Sequence, residues 1–410
     1  MYIGIDVGTS EVKVLLLAAD HTVVGSAGVG LTVSRPHVGH SEQDPQDWWA
    51  ATQEALARLR EAHREAYSQV QGIGLSGQMH GAVLLDAQDR PLRPAILWND
   101  TRAFQECADM MLAMPGLPAL AGSLAMPGFT APKLRWVARH EPEIFQRIAK
   151  VLLPKDFVRL MLTGEHVSDM SDASGTLWLD VQRRTWSDEL LALTGLSRAH
   201  MPRLVEGSEA GGYLKADVAQ TLGLQPGIVV AGGAGDNAAS AVGMGAAEAG
   251  QGFLSLGTSG VLFVVTPHFQ PNAQSATHAF CHALPSRWHQ MSVMLSAASA
   301  LQWVSDLLGA GHAGAVADRA AALSAEAQMA SPLFLPYLAG ERTPHNDAQV
   351  RGSFHGLDFD TDATRLGYAV IEGVSLGLKD GMAALQAAGC HIGTLSLVGG
   401  GARSAFWAQL

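Results

Sequence analysis

Ile5-Asp6-Val7-Gly8-Thr9-Ser10-Glu11-Val12 has a counterpart in the second half of the chain, Leu254-Ser255-Leu256-Gly257-Thr258-Ser259-Gly260-Val261. Both read as strand, Gly-Thr-Ser turn, strand, and each opens a β-rich block. One such turn is ordinary hairpin chemistry. Two in matching places indicate a duplicated domain, with a hairpin from each half facing one cleft. Consecutive N–H groups and hydroxyls in these turns form a cradle for phosphate oxygens, so the pair reads as a grip on a polyphosphate.

Outward from the first hairpin, Asp44-Pro45 opens a helix with an Asp N-cap and Pro at its first position. Trp49 and Leu56, two turns apart, are expected on its buried face beside Trp48. Val70–Ser76 reads as a strand, with Val83–Leu85 and Ala95–Trp98 as its neighbours across the Asp86–Arg90 turn. Residues 101–225 read as mainly helical. Leu224-Gln225-Pro226-Gly227 is turn chemistry ahead of the second β block, which places the domain boundary near 225. A helix from about Ala363 to Ala388 carries Gly373 and Gly377 four apart, which suits close packing. Strands alternating with helices make the fold class α/β, in two similar halves.

Composition narrows the function. The 410 residues carry a net charge of −11, the wrong sign for nonspecific binding to nucleic acid or anionic lipid. The 45 glycines exceed the ~7% usual in globular chains, without a collagen-like period. Many tight turns, and backbone close to a ligand, are the expected use. Three scattered cysteines build neither a disulfide framework nor a Cys-x-x-Cys site. No apolar run approaches the ~18 residues of a membrane span. The first residues enter a strand carrying Asp6 and have no leader character. The expectation is a cytoplasmic protein.

Three segments carry the chemistry. Asp6 ends a strand beside the first phosphate turn, where a carboxylate is repelled by phosphate unless a divalent cation lies between them; Mg²⁺ suits that place, directly or through water. Gly233-Ala234-Gly235-Asp236-Asn237-Ala238 fits a dinucleotide fingerprint formally, but Asp236 would sit on the pyrophosphate and no ribose-binding carboxylate follows ~20 positions on. At a helix start in a Gly-lined cleft, Asp236 reads either as a helix cap or as the acceptor of a hydroxyl proton in phosphoryl transfer. Gln78-Met79-His80, past a strand end, offers neutral groups suited to a polyol or ketone. No Gly-Lys dipeptide occurs, so there is no Walker A loop. Gly373-Val374-Ser375-Leu376-Gly377 matches a serine-hydrolase pattern but lies in a helix.

With these segments stand Ser41-Glu42-Gln43-Asp44-Pro45, Leu97-Trp98-Asn99-Asp100, Leu153-Pro154-Lys155-Asp156, Gly340-Glu341-Arg342-Thr343-Pro344 and Gly399-Gly400-Gly401-Ala402-Arg403-Ser404. Together they resemble the FGGY carbohydrate kinases over essentially the whole chain. The resemblance implies two actin-like (ribonuclease H-like) ATPase domains flanking a cleft. Residues 1–225 would hold the sugar and the first phosphate turn. Residues 226–410 would hold the base, the second phosphate turn and the adenosine turn. The implied reaction moves the γ-phosphate of ATP to O5 of D-xylulose. Asp236 is then the general base. Gln78, Met79 and His80 contact the sugar, with Trp98, Asn99 and Asn237 as further contacts. Thr9, Ser10, Lys13, Gly257 and Thr258 bind phosphate, Gly400, Gly401 and Ser404 the adenosine, and Asp6 the Mg²⁺. Neither nucleic acid nor membrane is an expected partner, and a homodimer is left open.

Two departures stand out. Glu11 puts negative charge near the phosphate path unless it turns outward. Family members also continue past the Gly-rich turn, so the second domain is expected to be truncated at its C-terminus. Two rivals remain at this point. One is a sister kinase acting on another ketose or polyol. The other is an actin-like, nucleotide-driven binding protein.

Overall fold

A computed structural model describes residues 1–410. They form two compact units, Met1–Val242 with Phe280–Arg287, and Gly243–Ala279 with Trp288–Leu410.

The first unit opens with the expected hairpin, β1 (Tyr2–Val7) and β2 (Glu11–Leu17), followed by β3 (Val23–Gly30). Alternation governs it. Ile3, Ile5, Val7, Val12 and Val14 are buried, while Asp6, Glu11 and Lys13 between them point to solvent. Helix α1 (Pro45–Ala62) covers the buried face, and Asp44 Oδ1 accepts from Gln46 N at 2.9 Å as a cap. Its core stripe runs through Trp48, Thr52, Ala55 and Leu59, with Leu56 alongside. Trp49, expected there, sits a helical step around and is only half-buried. β4 (Gly72–Gly77) pairs parallel with β1. Helix α2 (Pro154–Thr163) contributes Phe157 and Val158 to the same core. Farther on come the short helix α3 (Met170–Ser174), the edge strand β5 (Ala210–Tyr213), β6 (Val229–Ala231), β7 (Ala234–Gly235) and helix α4 (Asp236–Gly243). The sheet order is β5-β6-β4-β1-β2-β3, with β7 continuing beside β4.

Three expectations need correction. Val83–Leu85 pairs with Lys150–Leu152, not with β4, and Ala95–Ile96 pairs with Glu42–Gln43. The mainly helical stretch is interrupted by several short strands that answer distant partners. The unit boundary falls after Val242 rather than near 225, because β6 and β7 join the first sheet beside β4 and carry α4 with them. Asp236 therefore belongs to the first unit. The returning segment also packs there: Cys281 N donates to Ser174 Oγ at 3.1 Å.

The second unit repeats the plan with β8 (Gln251–Leu256), β9 (Gly260–Thr266) and β10 (Trp288–Met294), then helix α5 (Ala363–Ala387) and β11 (Thr394–Val398). β10-β9-β8-β11 has the order and senses of β3-β2-β1-β4: two antiparallel steps, then a parallel one. A Cβ on Gly373 of α5 would lie 2.2 Å from Phe334 O, so the expected close packing is observed.

Candidate active site

Three parallel strands end together in the first unit. Asp6 of β1 is in register with Ser76 of β4, and Ser76 with Ala234 of β7; one step on, Val7, Gly77 and Gly235 align. The chain leaves β1 into Gly8-Thr9-Ser10, β4 into Gln78-Met79-His80, and β7 into Asp236. Carboxyl edges of such sheets are where ligands bind.

The turn is held from below. Gln78 is 3% exposed. Its Nε2 donates to Gly8 O at 3.3 Å and Gln43 Oε1 at 3.1 Å, and its Oε1 accepts from Thr9 Oγ1 at 2.9 Å. The amide expected to meet sugar is thus committed to shaping the turn. Trp98, 50% exposed, donates from Nε1 to Thr9 Oγ1 at 3.0 Å. Gln43 was legible only as part of a family segment, yet it is central: Nε2 donates to Thr9 O at 2.8 Å while Oε1 accepts from Trp48 Nε1 at 3.0 Å. What the turn leaves for an anion is backbone, since the N–H groups of Thr9 and Ser10 have no partner in the chain. Lys13 is exposed on the neighbouring strand. Glu11 does turn aside, its Oε2 lying 2.7 Å from where a Cβ on Gly28 of β3 would be.

His80 has φ +68°, a left-handed conformation that a residue with a side chain adopts at a cost. Several contacts fix it. Its carbonyl accepts from Lys133 Nζ at 2.8 Å and Thr130 Oγ1 at 3.1 Å. Its Nδ1 lies 2.7 Å from Gly175 O, and its ring centroid lies 4.3 Å from that of Phe129, the two planes tilted by 39°. Lys133 is fully buried, and burial pushes its ammonium well below the usual lysine range. Neither Lys133 nor Gly175 carries a sequence motif, so neither was legible as part of the site. Met79 packs over Gly235, where a Cβ would meet Met79 Cγ at 2.8 Å. Asn99, beside Trp98, buries an Oδ1 that has no hydrogen-bond partner. Such an orphaned acceptor suits a ligand hydroxyl.

Asp236 opens α4, its Oδ1 accepting from Asn237 N at 2.7 Å and Asn237 Nδ2 at 3.0 Å. Burial raises its carboxyl to about 6, with the Asp6 charge adding to the rise and the Asn237 hydrogen bond opposing it. That is the range a general base needs near neutral pH. Asp6 is exposed, and its Oδ1 accepts from Ser76 Oγ at 2.8 Å. An exposed hard oxygen donor beside a phosphate turn fits Mg²⁺, which takes one or two carboxylates together with phosphate oxygens and water.

In the second unit, β8 and β11 end side by side, with Ser255 opposite Val398. Gly257-Thr258 and Gly399-Gly400-Gly401 are therefore neighbours. Gly399, at φ +91°, presses on the Leu256 carbonyl, where a Cβ would stand 2.7 Å away. Thr258 O accepts from Ser299 Oγ at 2.7 Å and Ala297 N at 3.0 Å. Ser404 Oγ accepts from Trp407 N at 3.2 Å, capping the helix Ala405–Gln409.

A duplicated sheet with a Gly-Thr-Ser turn at each hairpin is the plan the sequence leads us to expect of a sugar kinase, and family models assign the class. Residues 1–243 match the N-terminal domain, and 252–410 the C-terminal domain, of the FGGY family of carbohydrate kinases. The chain belongs to this family. It is 54% identical to the xylulose kinase of Escherichia coli (strain K12) and 52% to that of Klebsiella pneumoniae. Each match covers all of this chain and 84% of the relative. The crystal structure of a xyloylose kinase from Brucella ovis superimposes with a TM-score of 0.96 at 56% identity, over 99% of this chain and 83% of that one.

Proposed function

We propose that the protein transfers the γ-phosphoryl group of ATP to O5 of D-xylulose, giving D-xylulose 5-phosphate and ADP. Asp236 accepts the O5 proton. The oxygen lone pair forms the bond to the γ-phosphorus while the bond from that phosphorus to the β–γ bridging oxygen breaks, and its electrons leave with ADP. Positioning supplies most of the rate in such transfers, because the protein forms no covalent bond itself. Met79, His80, Trp98, Asn99 and Asn237 orient the ketose, with Gln78 acting through the turn. Thr9, Ser10 and Lys13 meet phosphate in the first unit. Gly257 and Thr258 do so in the second, where Gly400, Gly401 and Ser404 form the adenosine turn. Asp6 would hold Mg²⁺, which neutralises phosphate charge when bound. No helix is long and apolar enough to cross a membrane, and we assign the protein to the cytoplasm.

The observation that carries this reading is Asp236, raised to about 6 by burial, at the strand edge that also bears the phosphate turn. Its test is ATP turnover against a panel of pentuloses and polyols. D-Xylulose should give the highest kcat/KM, and Asp236→Asn should lower kcat by about 10²–10⁴ while sugar binding survives. A variant with near wild-type kcat would reduce Asp236 to a cap. A different best sugar would move the substrate within the family.

A further inference from the structure

Beneath the Asp236 loop lies a cluster of five charged side chains, all fully buried. Lys155 Nζ stands 2.7 Å from Asp156 Oδ1, 2.7 Å from Asp169 Oδ1 and 2.9 Å from Asp172 Oδ2. Arg159 Nη1 stands 2.7 Å from Asp156 Oδ1 and donates to Val167 O at 2.7 Å. Burying so many charges costs more than it returns unless geometry and hydrogen bonding are good, so such a cluster is weak evidence of a stabilising device. Two of its hydrogen-bonding paths end on the loop that presents the base. Asp169 Oδ2 accepts from Ser171 Oγ, and Ser171 Oγ in turn accepts from Gly235 N at 3.1 Å. Arg159 Nη2 donates to Gly232 O. Gly232 and Gly235 bracket the segment that leads into Asp236.

We infer that Ser171 is a positioning residue for the phosphoryl transfer, fixing Asp236 through the Gly235 amide and anchored by the Lys155–Asp169 ion pair. The inference rests on Asp236 being the base. A tight hydrogen-bonded path of this kind sets where a carboxylate stands relative to a hydroxyl, and misplacement by ~1 Å costs up to about 10²-fold in rate. Ser171 is 1% exposed, and it has no surface through which to meet a substrate.

The test is a double-mutant cycle in the full chain, using Ser171→Ala, Asp236→Asn and the pair. Ser171→Ala should lower kcat about 10- to 100-fold with KM for both substrates changed less than threefold. In the Asp236→Asn background the same substitution should change kcat less than twofold, because the group it positions is gone. A wild-type kcat in Ser171→Ala overturns the inference, and so does an undiminished loss in the Asp236→Asn background. Asp236→Asn with wild-type kcat refutes the base itself, which is a separate failure. Should Ser171→Ala not fold, amide exchange at Gly235 in the unaltered protein decides: strong protection supports the path, and exchange at the free-peptide rate overturns it.

Discussion

At Asp236 the sign of each pH effect follows from one shift. The carboxyl rises from 3.8 to about 6, chiefly through burial. A base must be ionised, so kcat should be level above pH ~7 and fall about tenfold per unit below 6. Stability runs the other way. Because the folded state holds the proton more tightly, ionising Asp236 disfavours the fold. That penalty is complete above the folded value and vanishes below the unfolded one. Asp236→Asn keeps an oxygen for Asn237 and removes the charge. At ~1.36 kcal/mol per unit, discounted for a half-buried group, it should stabilise the protein by about 1–2 kcal/mol at pH 8. The gain should shrink as pH drops from 7 to 5, read by melting curves of both proteins. A variant that melts lower at pH 8 would show that the carboxylate is a net contributor to the fold. His80 belongs to the same scale, but its φ of +68° could not be read from Gly77-Gln78-Met79-His80-Gly81. The contacts that hold it come from Thr130, Lys133 and Gly175, far along the chain.

Elements with strong local signals were legible, and those defined by distant partners were not. The two hairpins, the Asp44-Pro45 helix start and the long α5 all announce themselves through alternation, caps or period. Val83–Leu85 and Ala95–Ile96 are strands of three and two residues whose partners, Lys150–Leu152 and Glu42–Gln43, no local pattern could select. The boundary near 225 failed for a related reason. Turn chemistry at Gln225-Pro226-Gly227 is real, but the strand after it completes the earlier sheet. Lys155-Asp156 was visible as a family segment, while its burial against Asp169 and Asp172 was not. Helix α5 gives the element-scale prediction. A Cβ at Gly373 would face the Phe334 backbone oxygen, which cannot rotate away. Gly373→Ala should therefore cost about 1–3 kcal/mol in denaturant unfolding, as overpacking does, despite alanine's better helix propensity. Kinetic constants of the folded fraction should stay unchanged. A neutral or stabilising result would mean that the helix shifts freely.

Across the whole molecule, the duplication left two turns of one design in different surroundings. The buried charge network described above, Lys155 and Arg159 with their three carboxylates, belongs to the first unit. The turns differ in the same direction. The Thr9 hydroxyl donates to buried Gln78 and accepts from Trp98. That of Thr258 is on an exposed residue and makes no hydrogen bond within the chain. The same substitution should therefore have opposite signatures. Thr9→Val leaves Gln78 Oε1 buried without its donor, a loss of about 1–3 kcal/mol that melting should register. Thr258→Val breaks nothing internal, so the melting temperature should hold. If its hydroxyl meets phosphate, KM for ATP should rise about 10- to 150-fold, the worth of one hydrogen bond to a charged group. D-Xylulose affinity, measured by calorimetry without nucleotide, should stay within twofold, since the residues proposed to hold the sugar belong to the other unit. A Thr258→Val protein with wild-type KM for ATP would remove that hydroxyl from the phosphate site. One that lost sugar affinity equally would show that Thr258 supports sugar binding as well as nucleotide binding.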